Sequence, residues 1–334
     1  MKAAQITRYS KNIDVSINDI PVPEIGDSDI LVKVKAAAVN PVDILNLTGA
    51  VRLIQDYNMP LTLGNECAGI VEKTGKSVTR FHVGDLVYSR LPISRLGAFA
   101  EYVAIPESAA AYMPQNLDFA TAAAVPLTGL TAYQSIVEEL NAKPGETIFI
   151  PGGSGSFGQI AVPIAKALGN KVIVSGNSRA KDDILSAGAD RYIVYIEENY
   201  RDILSDVDYI IDTLGKKEYI HELSVLKENG ILLSLRTSPN KLFAEKRGFP
   251  LVKRLLFTMA GKKYDKLAER QGKKYCFMFV RENGYQLEKI TRIIEEKKIV
   301  PRIDPHRYDI SRINDALKLV AEGHISGKVI ISFT

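Results

Sequence analysis

Thr147-Ile-Phe-Ile-Pro-Gly-Gly-Ser-Gly-Ser-Phe-Gly158 is the stretch on which the reading of this chain turns. A short apolar run ends in glycines, and Gln159-Ile-Ala-Val-Pro-Ile-Ala-Lys-Ala-Leu-Gly169 follows, so the whole predicts strand, tight turn and helix. Gly153, Gly155 and Gly158 fall in the spacing G-x-G-x-x-G. The first permits the turn, the second lets backbone approach a pyrophosphate, and the third lets helix pack closely on strand. Phosphates then sit on the free N–H groups and positive dipole end of the helix. Glycines recur in ordinary turns, and it is the position between strand and helix that marks a nucleotide loop. Ser154, Gly155, Ser156, Phe157 and Gly158 are expected to line the pyrophosphate, mainly through backbone. Pro163 removes one hydrogen bond from the following helix and should kink it.

Downstream, strands and helices alternate. Val172–Ser175, Arg191–Val194, Tyr209–Asp212 and Ile231–Leu235 are strand candidates separated by helical segments, the rhythm of βαβ units and a parallel sheet. Upstream the texture differs. Residues 1 to about 110 read as short strands with Gly/Pro turns, among them Ile30–Lys35, Ala68–Glu72, Asp85–Tyr88 and Ala100–Ala104, the first with the alternation of a half-buried strand. Phe119 to Leu140 is Ala-rich and helix-like. Asn240 to Lys274 is a basic connecting stretch, read as a helix with a solvated face rather than a membrane or partner site. Tyr275–Val280 is strand-like, Gln286 to Lys298 an amphipathic helix, and Gly327–Phe333 a closing strand. The architecture expected is α/β: an N-terminal β domain (1–118) completed by the C-terminal segment (272–334), with a doubly wound parallel-sheet domain (119–271) between.

With 334 residues the chain is long enough for two cores. Its formal charge of +4 is too small to argue for nucleic acid. Thr147 to Ala165 is a long charge-free run, but repeated glycines and two prolines reject a membrane span. No secretory h-region follows Met1. Cys67 and Cys276 stand far apart without metal-type spacing, which fits a reducing compartment. A cytoplasmic protein is expected.

The residue types after the second Rossmann strand bear on the cofactor. A chain reading the ribose 2′-OH places Asp or Glu about 20 residues beyond the glycines, at that strand's tip. Here Lys171-Val-Ile-Val-Ser175 runs into Gly176-Asn-Ser-Arg-Ala-Lys181. Small polar groups, Ser175 and Asn177, stand at the tip, and Arg179 or Lys181 can meet a 2′-phosphate. The plainer alternative is a solvated helix start. NADP(H) is favoured over NAD(H). Leu214 and Gly215 end a parallel strand, where ligands bind in open sheets, and are adenosine-side candidates; Leu235 and Arg236 end the next, on the nicotinamide side.

Several longer motifs carry a resemblance: Ala36-Ala-Ala-Val-Asn-Pro-Val-Asp43, Leu63-Gly-Asn-Glu-Cys-Ala-Gly-Ile-Val71, Phe81-His-Val-Gly-Asp-Leu-Val87, Gly97-Ala-Phe-Ala-Glu-Tyr-Val103, Ala122-Ala-Ala-Val-Pro-Leu-Thr-Gly-Leu-Thr-Ala-Tyr133, Asp208-Tyr-Ile-Ile-Asp-Thr-Leu-Gly215 and Gly323-His-Ile-Ser-Gly-Lys-Val-Ile330. With the glycine loop they make the chain resemble the medium-chain dehydrogenase/reductase superfamily, in its zinc-independent quinone oxidoreductase and enoyl-reductase branch. The resemblance implies a GroES-like β domain plus a Rossmann domain, an active site in the cleft between them, and a homodimer. The homodimer reading also rests on the apolar strand Tyr275–Val280, whose open edge invites pairing.

Zinc members of that superfamily hold metal with cysteine, histidine and a further cysteine or acid. The matching positions here are Asn40, Asn65 and Leu127. A carboxamide is a poor zinc ligand and leucine is none. Leu91 to Tyr112 contains no cysteine, so the structural zinc lobe is missing too. No metal is expected. Without a Lewis acid to stabilise an alkoxide, hydride delivery to an acceptor already activated by conjugation remains feasible, and a quinone or α,β-unsaturated carbonyl meets that need.

By the resemblance Thr131 sits near the nicotinamide, Tyr195 near the adenosine phosphate, and Asn40 on ribose or substrate, while Asp43 supports the turn. Relatives carry a tyrosine soon after this Asn; here the stretch is Ile44-Leu-Asn-Leu47. Tyr57 is the replacement candidate for proton donor, against an ordinary surface aromatic. Phe277 and Phe279 are candidates to close the substrate pocket. His82, His221, His306 and His324 show no triad or metal spacing. Two other readings compete: a non-catalytic NADPH-binding protein of the same fold, and a zinc alcohol dehydrogenase with displaced ligands.

Overall fold

The structure, a computed structural model, describes residues 1–323 and 325–334; His324 lies outside the described residues. The chain opens with β1 (Lys2–Ile6), β2 (Ser16–Asp19), β3 (Asp29–Val39), α1 (Pro41–Thr48), β4 (Leu61–Thr62), β5 (Glu66–Thr74), β6 (Leu86–Arg90), β7 (Tyr102–Pro106) and β8 (Ala110–Tyr112). Helices α2 (Phe119–Ala123) and α3 (Pro126–Gln134) lead into an alternating series. It runs β9 (Thr147–Ile150), α4 (Ser156–Ala167), β10 (Lys171–Gly176), α5 (Lys181–Ser186), β11 (Arg191–Val194), α6 (Tyr200–Ile203), β12 (Val207–Asp212), α7 (Tyr219–Val225) and β13 (Leu226–Ser234). Next come α8 (Lys241–Lys246), α9 (Leu251–Glu269), β14 (Lys274–Phe277), α10 (Gly284–Lys297), β15 (Tyr308–Asp309), α11 (Ile313–Glu322) and β16 (Val329–Ser332).

The described chain divides into two compact units: Met1–Leu130 with Arg281–Thr334, and Thr131–Val280. Both boundaries fall later than the 118/119 and 271/272 divisions read from sequence texture. Helix α2 is Ala-rich like the second unit, yet it packs on β3 and β5 of the first. Strand β14 pairs in parallel with β13, which keeps it in the second unit.

In the first unit β3 is the hub, with Ile30, Val32 and Val34 buried and Lys33 and Lys35 less so, the alternation a pleated strand requires. It pairs antiparallel with β5, β7 and β16. The last strand of the chain therefore completes a sheet begun near its start. Phe81, Phe99, Leu63, Ile105 and Val329 are among the side chains filling this core.

The second unit holds a six-stranded sheet in the order β11-β10-β9-β12-β13-β14, every pairing parallel. This is the doubly wound order, whose reversal point lies between β9 and β12, and ligands bind at the carboxyl ends of strands there. Phe149, Ile210, Tyr219 and Leu232, all within 1% of full burial, anchor one face of the sheet. Each such apolar side chain contributes about 1.5–3 kcal/mol. Helix α4 runs through Pro163, which is buried; nothing in the structure assigns that proline a role. The single helix expected over Phe119–Leu140 is instead α2, α3 and a turn of π-helix, Ser135–Glu139. Pro126 lacks the N–H needed to continue α2, so a new helix starts there.

Candidate functional site

The glycine loop joins β9 to α4 and is shaped by steric necessity. A Cβ on Gly158 would stand 1.8 Å from the Gly153 carbonyl oxygen, and one on Gly153 would meet Ile150 Cγ2 at 2.8 Å and Val174 Cγ1 at 2.9 Å. Around Gly155 the situation reverses, since nothing lies within 4 Å of its Cβ position. Gly155 is the N-cap of α4 and offers no side-chain cap, which leaves the first-turn N–H groups directed at open space. An uncapped helix N-terminus beside an open backbone is a seat for phosphate, so these residues fit a dinucleotide pyrophosphate.

Neighbouring strand ends are tied to this loop. The Gly152 N–H donates to Ser175 Oγ at 3.4 Å and Asn177 Nδ2 to Ser154 Oγ at 3.3 Å. A Cβ on Gly176 would strike the Tyr192 hydroxyl at 2.3 Å and Ser154 Cβ at 2.4 Å. The Tyr195 N–H donates to Gly176 O at 3.1 Å, which holds that exposed tyrosine beside the β10 tip. Arg179, on the turn after β10, and Lys181, the first residue of α5, are exposed, and the first acids, Asp182 and Asp183, follow only within α5.

Asp212, fully buried at the end of β12, organises the next two strand ends. Its Oδ1 accepts the Leu214 N–H at 2.7 Å and the Gly215 N–H at 2.6 Å, while Oδ2 accepts the Ser234 and Thr237 hydroxyls. Thr213 Oγ1 donates to Pro151 O at 2.7 Å, so the loop carrying Leu214 and Gly215 abuts the glycine loop. Leu235 continues from β13 with its N–H on Asp212 O, and Arg236 is exposed beside it. The structure thus brings Gly153 to Gly158, Ser175, Asn177, Tyr195, Leu214 and Gly215 together. Phe279 follows β14, half-buried, its carbonyl accepting from Arg247. Thr131 is buried in α3, its carbonyl accepting from Ser135 Oγ at 2.6 Å.

Behind Asp212, on α7, lies the buried Glu222. Burial, and then the Asp212 charge, pushes its carboxyl up to about 10 from 4.5. A raised folded-state value means the stability contribution is complete below pH 4.5 and drains away as pH rises toward 10. Glu222→Gln should therefore match wild type near pH 5 and exceed it at pH 7 by ~3 kcal/mol, at about 1.4 kcal/mol per unit. Thermal unfolding across pH 5–9 checks this, and parallel curves would refute it.

In the first unit the positions aligned with metal ligands are filled by an internal network. Asn40 Nδ2 donates to Glu66 Oε1 at 2.8 Å and to Ala38 O at 3.2 Å, and Asn40 Oδ1 accepts from Lys328 Nζ. Lys328 is 3% exposed and pairs with the fully buried Glu66 at 2.9 Å. The Leu127 N–H gives Glu66 Oε2 a 2.6 Å hydrogen bond. Asp43 accepts from the Asn40 N–H and from Asn65 Nδ2, both at 2.7 Å. Burial, opposed by those two donors, pushes the Asp43 carboxyl up to about 7. Burial also holds the neighbouring Cys67 thiol far above its ordinary range. A carboxamide whose hydrogens are both spent, a second committed to Asp43, a leucine and an ammonium on Glu66 do not suit Zn²⁺.

Asn40, expected on ribose or substrate, is 2% exposed and has its carboxamide engaged by Glu66, Ala38 and Lys328. Asp43 supports the turn by receiving the Asn40 N–H in a capping box. Tyr57 is half-buried against this unit's core, with its hydroxyl shielded and without a hydrogen-bond partner. Burial raises its phenol, so it stays protonated at neutral pH. An open groove of about 780 Å³, lined by residues such as Asp85, Tyr112, Glu288 and Arg292, lies in the same unit and includes none of the expected site residues. Lys328 was missed in the sequence; its one signal is a lysine directly before the apolar run Val329-Ile-Ile331. Gly152 and Gly176 escaped because they fall outside the G-x-G-x-x-G spacing.

The parallel sheet and its glycine loop define a dinucleotide-binding dehydrogenase fold. Residues 26–115 match the alcohol dehydrogenase GroES-like domain family and residues 187–331 the zinc-binding dehydrogenase family. The chain is 31% identical over 345 aligned positions to the 2-methylene-furan-3-one reductase of Solanum lycopersicum, covering 99% of this chain and 79% of that one. It is 31% identical to the chloroplastic NADPH-dependent alkenal/one oxidoreductase of Arabidopsis thaliana, with coverage of 94% and 74%. Among solved structures, the quinone oxidoreductase of Coxiella burnetii superposes with a TM-score of 0.83 at 25% identity, covering 100% of this chain and 99% of that one. The chain belongs to the medium-chain dehydrogenase/reductase superfamily, in its quinone oxidoreductase and enone-reductase branch.

Proposed function

We propose that this chain is a zinc-independent NADPH-dependent reductase that transfers hydride to a quinone or an α,β-unsaturated carbonyl. The observation that carries the reading is the Asn40–Glu66–Lys328 network at the metal-ligand positions, which leaves an acceptor to be activated by its own conjugation. NADPH supplies the hydride when bound. The loop from Gly153 to Gly158 and the start of α4 hold the pyrophosphate through backbone N–H groups. Arg179 and Lys181 meet the 2′-phosphate, with Ser175, Asn177 and Tyr195 beside the adenosine ribose and Leu214 and Gly215 flanking the base. Thr131 is assigned to the nicotinamide by the family resemblance, and Asn40 to the ribose or acceptor; Leu235 and Arg236 are assigned to the nicotinamide side by their place at a strand end, and Phe279 to closing the acceptor pocket. Tyr57, protonated and unpartnered, is the proton donor in this reading.

The described chain has no helix long and apolar enough to cross a membrane. A cytoplasmic homodimer completes the proposal. It is supported by two free, buried cysteines and by β14, which pairs on one side only.

Purified protein should oxidise NADPH with a panel of quinones and enones, unaffected by chelators. Arg179→Ala should raise KM for NADPH by about tenfold and leave NADH nearly unchanged, as expected for losing one charge-assisted phosphate contact. Tight NADPH binding without turnover on any acceptor would instead make the chain a non-catalytic NADPH-binding protein.

A further inference from the structure

Helix α9 turns an apolar face to solvent. Leu251, Val252, Leu255, Leu256 and Met259 are 80%, 73%, 62%, 44% and 66% exposed. Their spacing places them on one side of the helix over its first turns. The opposite stripe, Phe257, Gly261, Tyr264 and Ala268, is buried and seats the helix on α8 and β14. At Gly261 the fit is close, since a Cβ there would lie 2.4 Å from Asn240 Cβ. Asn240 in turn donates to Asp265 at 2.8 Å. The outer leucines take no part in that seat. Single exposed apolar residues are ordinary, but a contiguous group marks an interaction surface.

Charge is gathered around the same face. Between Lys241 and Lys274 there are eleven lysines and arginines against three acids, a net of +8, whereas the whole chain carries +4. Everything outside this segment is therefore net negative. Lys262, Lys263 and Lys266, all exposed, continue the helix directly beyond Met259.

We propose that α9 docks on an anionic lipid bilayer, with Leu251, Val252, Leu255, Leu256 and Met259 entering the headgroup–acyl boundary and the lysines remaining among the phosphates. Apolar side chains beside a cationic band are what an interfacial helix needs. A second copy of the chain is a poorer occupant. A two-fold contact lays the patch on itself and sets one +8 segment against another. Docking does not rest on the proposed reductase activity; joined to it, docking would bring the enzyme to apolar acceptors dissolved in the bilayer.

Flotation of the full chain with phosphatidylcholine vesicles containing roughly 30% phosphatidylglycerol tests this. Binding is expected there, and about tenfold less on pure phosphatidylcholine or in about 0.5 M NaCl. Leu255→Asp with Met259→Asp should abolish binding, and Lys262→Glu with Lys263→Glu should remove the preference for anionic vesicles. All four sites are exposed, so melting temperature and NADPH titration should stay at wild-type values. Absent vesicle binding, or binding unchanged in the Leu255/Met259 variant, overturns the proposal. So does a change of mass in light scattering for that variant, which would make α9 an interface between copies.

Discussion

Gly158→Ala should lower NADPH affinity by more than about a hundredfold, because the cradle for the pyrophosphate cannot survive the added methyl. That methyl would lie 1.8 Å from the Gly153 carbonyl oxygen, so helix and loop must part by more than an ångström. Helix α4 has little room to retreat, with Ile160, Ala161, Val162, Ile164 and Ala165 packed in the core. Overpacking of this kind costs about 1–3 kcal/mol in stability, and the uncovered N–H groups move away from the phosphates as well. Gly155→Ala separates folding from binding: its Cβ enters open space at a φ of −91°, so stability should stay near wild type while the methyl stands where the pyrophosphate approaches. The chain has no tryptophan, so NADPH's own fluorescence reports binding cleanly. Equal affinity in Gly158→Ala and wild type would refute the assignment of this loop.

Lys328→Ala is the second large effect. Removing this ammonium leaves the Glu66 carboxylate, with no solvent exposure, facing Asn40 and the Leu127 N–H without its cation. Stranding one member of a buried pair typically costs about 3–5 kcal/mol. Asn40 Oδ1 loses its donor in the same step. Lys328→Met combined with Glu66→Gln should restore most of the loss, since no charge is then left unpaired. Chemical denaturation followed by circular dichroism reads both. A single variant as stable as wild type would mean that water replaces the ammonium at no cost.

The second unit was legible because its signals are local. Strand, glycine turn and helix lie within about two dozen residues, and the βαβ rhythm follows from periodicity alone. The first unit's site depends on partners that no local window joins. Asn40 and Lys328 stand 288 residues apart in sequence, and only the pairing of β16 with β3 brings them together. The Asn240–Lys274 stretch reads as a helix with a solvated basic face; α9 supplies the helix, but its outer face also carries the apolar Leu251, Val252, Leu255, Leu256 and Met259. Which leucines face outward was set by the close approach at Gly261 and by the Tyr264 seat, neither of which periodicity resolves. The break before Pro126 was foreseeable from proline's missing N–H, whereas the π turn at Ser135–Glu139 leaves no mark in composition.

The pairing of β16 with β3 also sets an order of assembly. On the ribosome, residues 131–280 form a contiguous unit that can fold as soon as it emerges. The strand made earlier, β3, must wait for the stretch around Val329 before its sheet is complete. Until then Glu66 lacks its lysine and β3 keeps an open edge, the kind of surface that chaperones shield. The earlier strand thus depends for its last partner on one made nearly three hundred residues later.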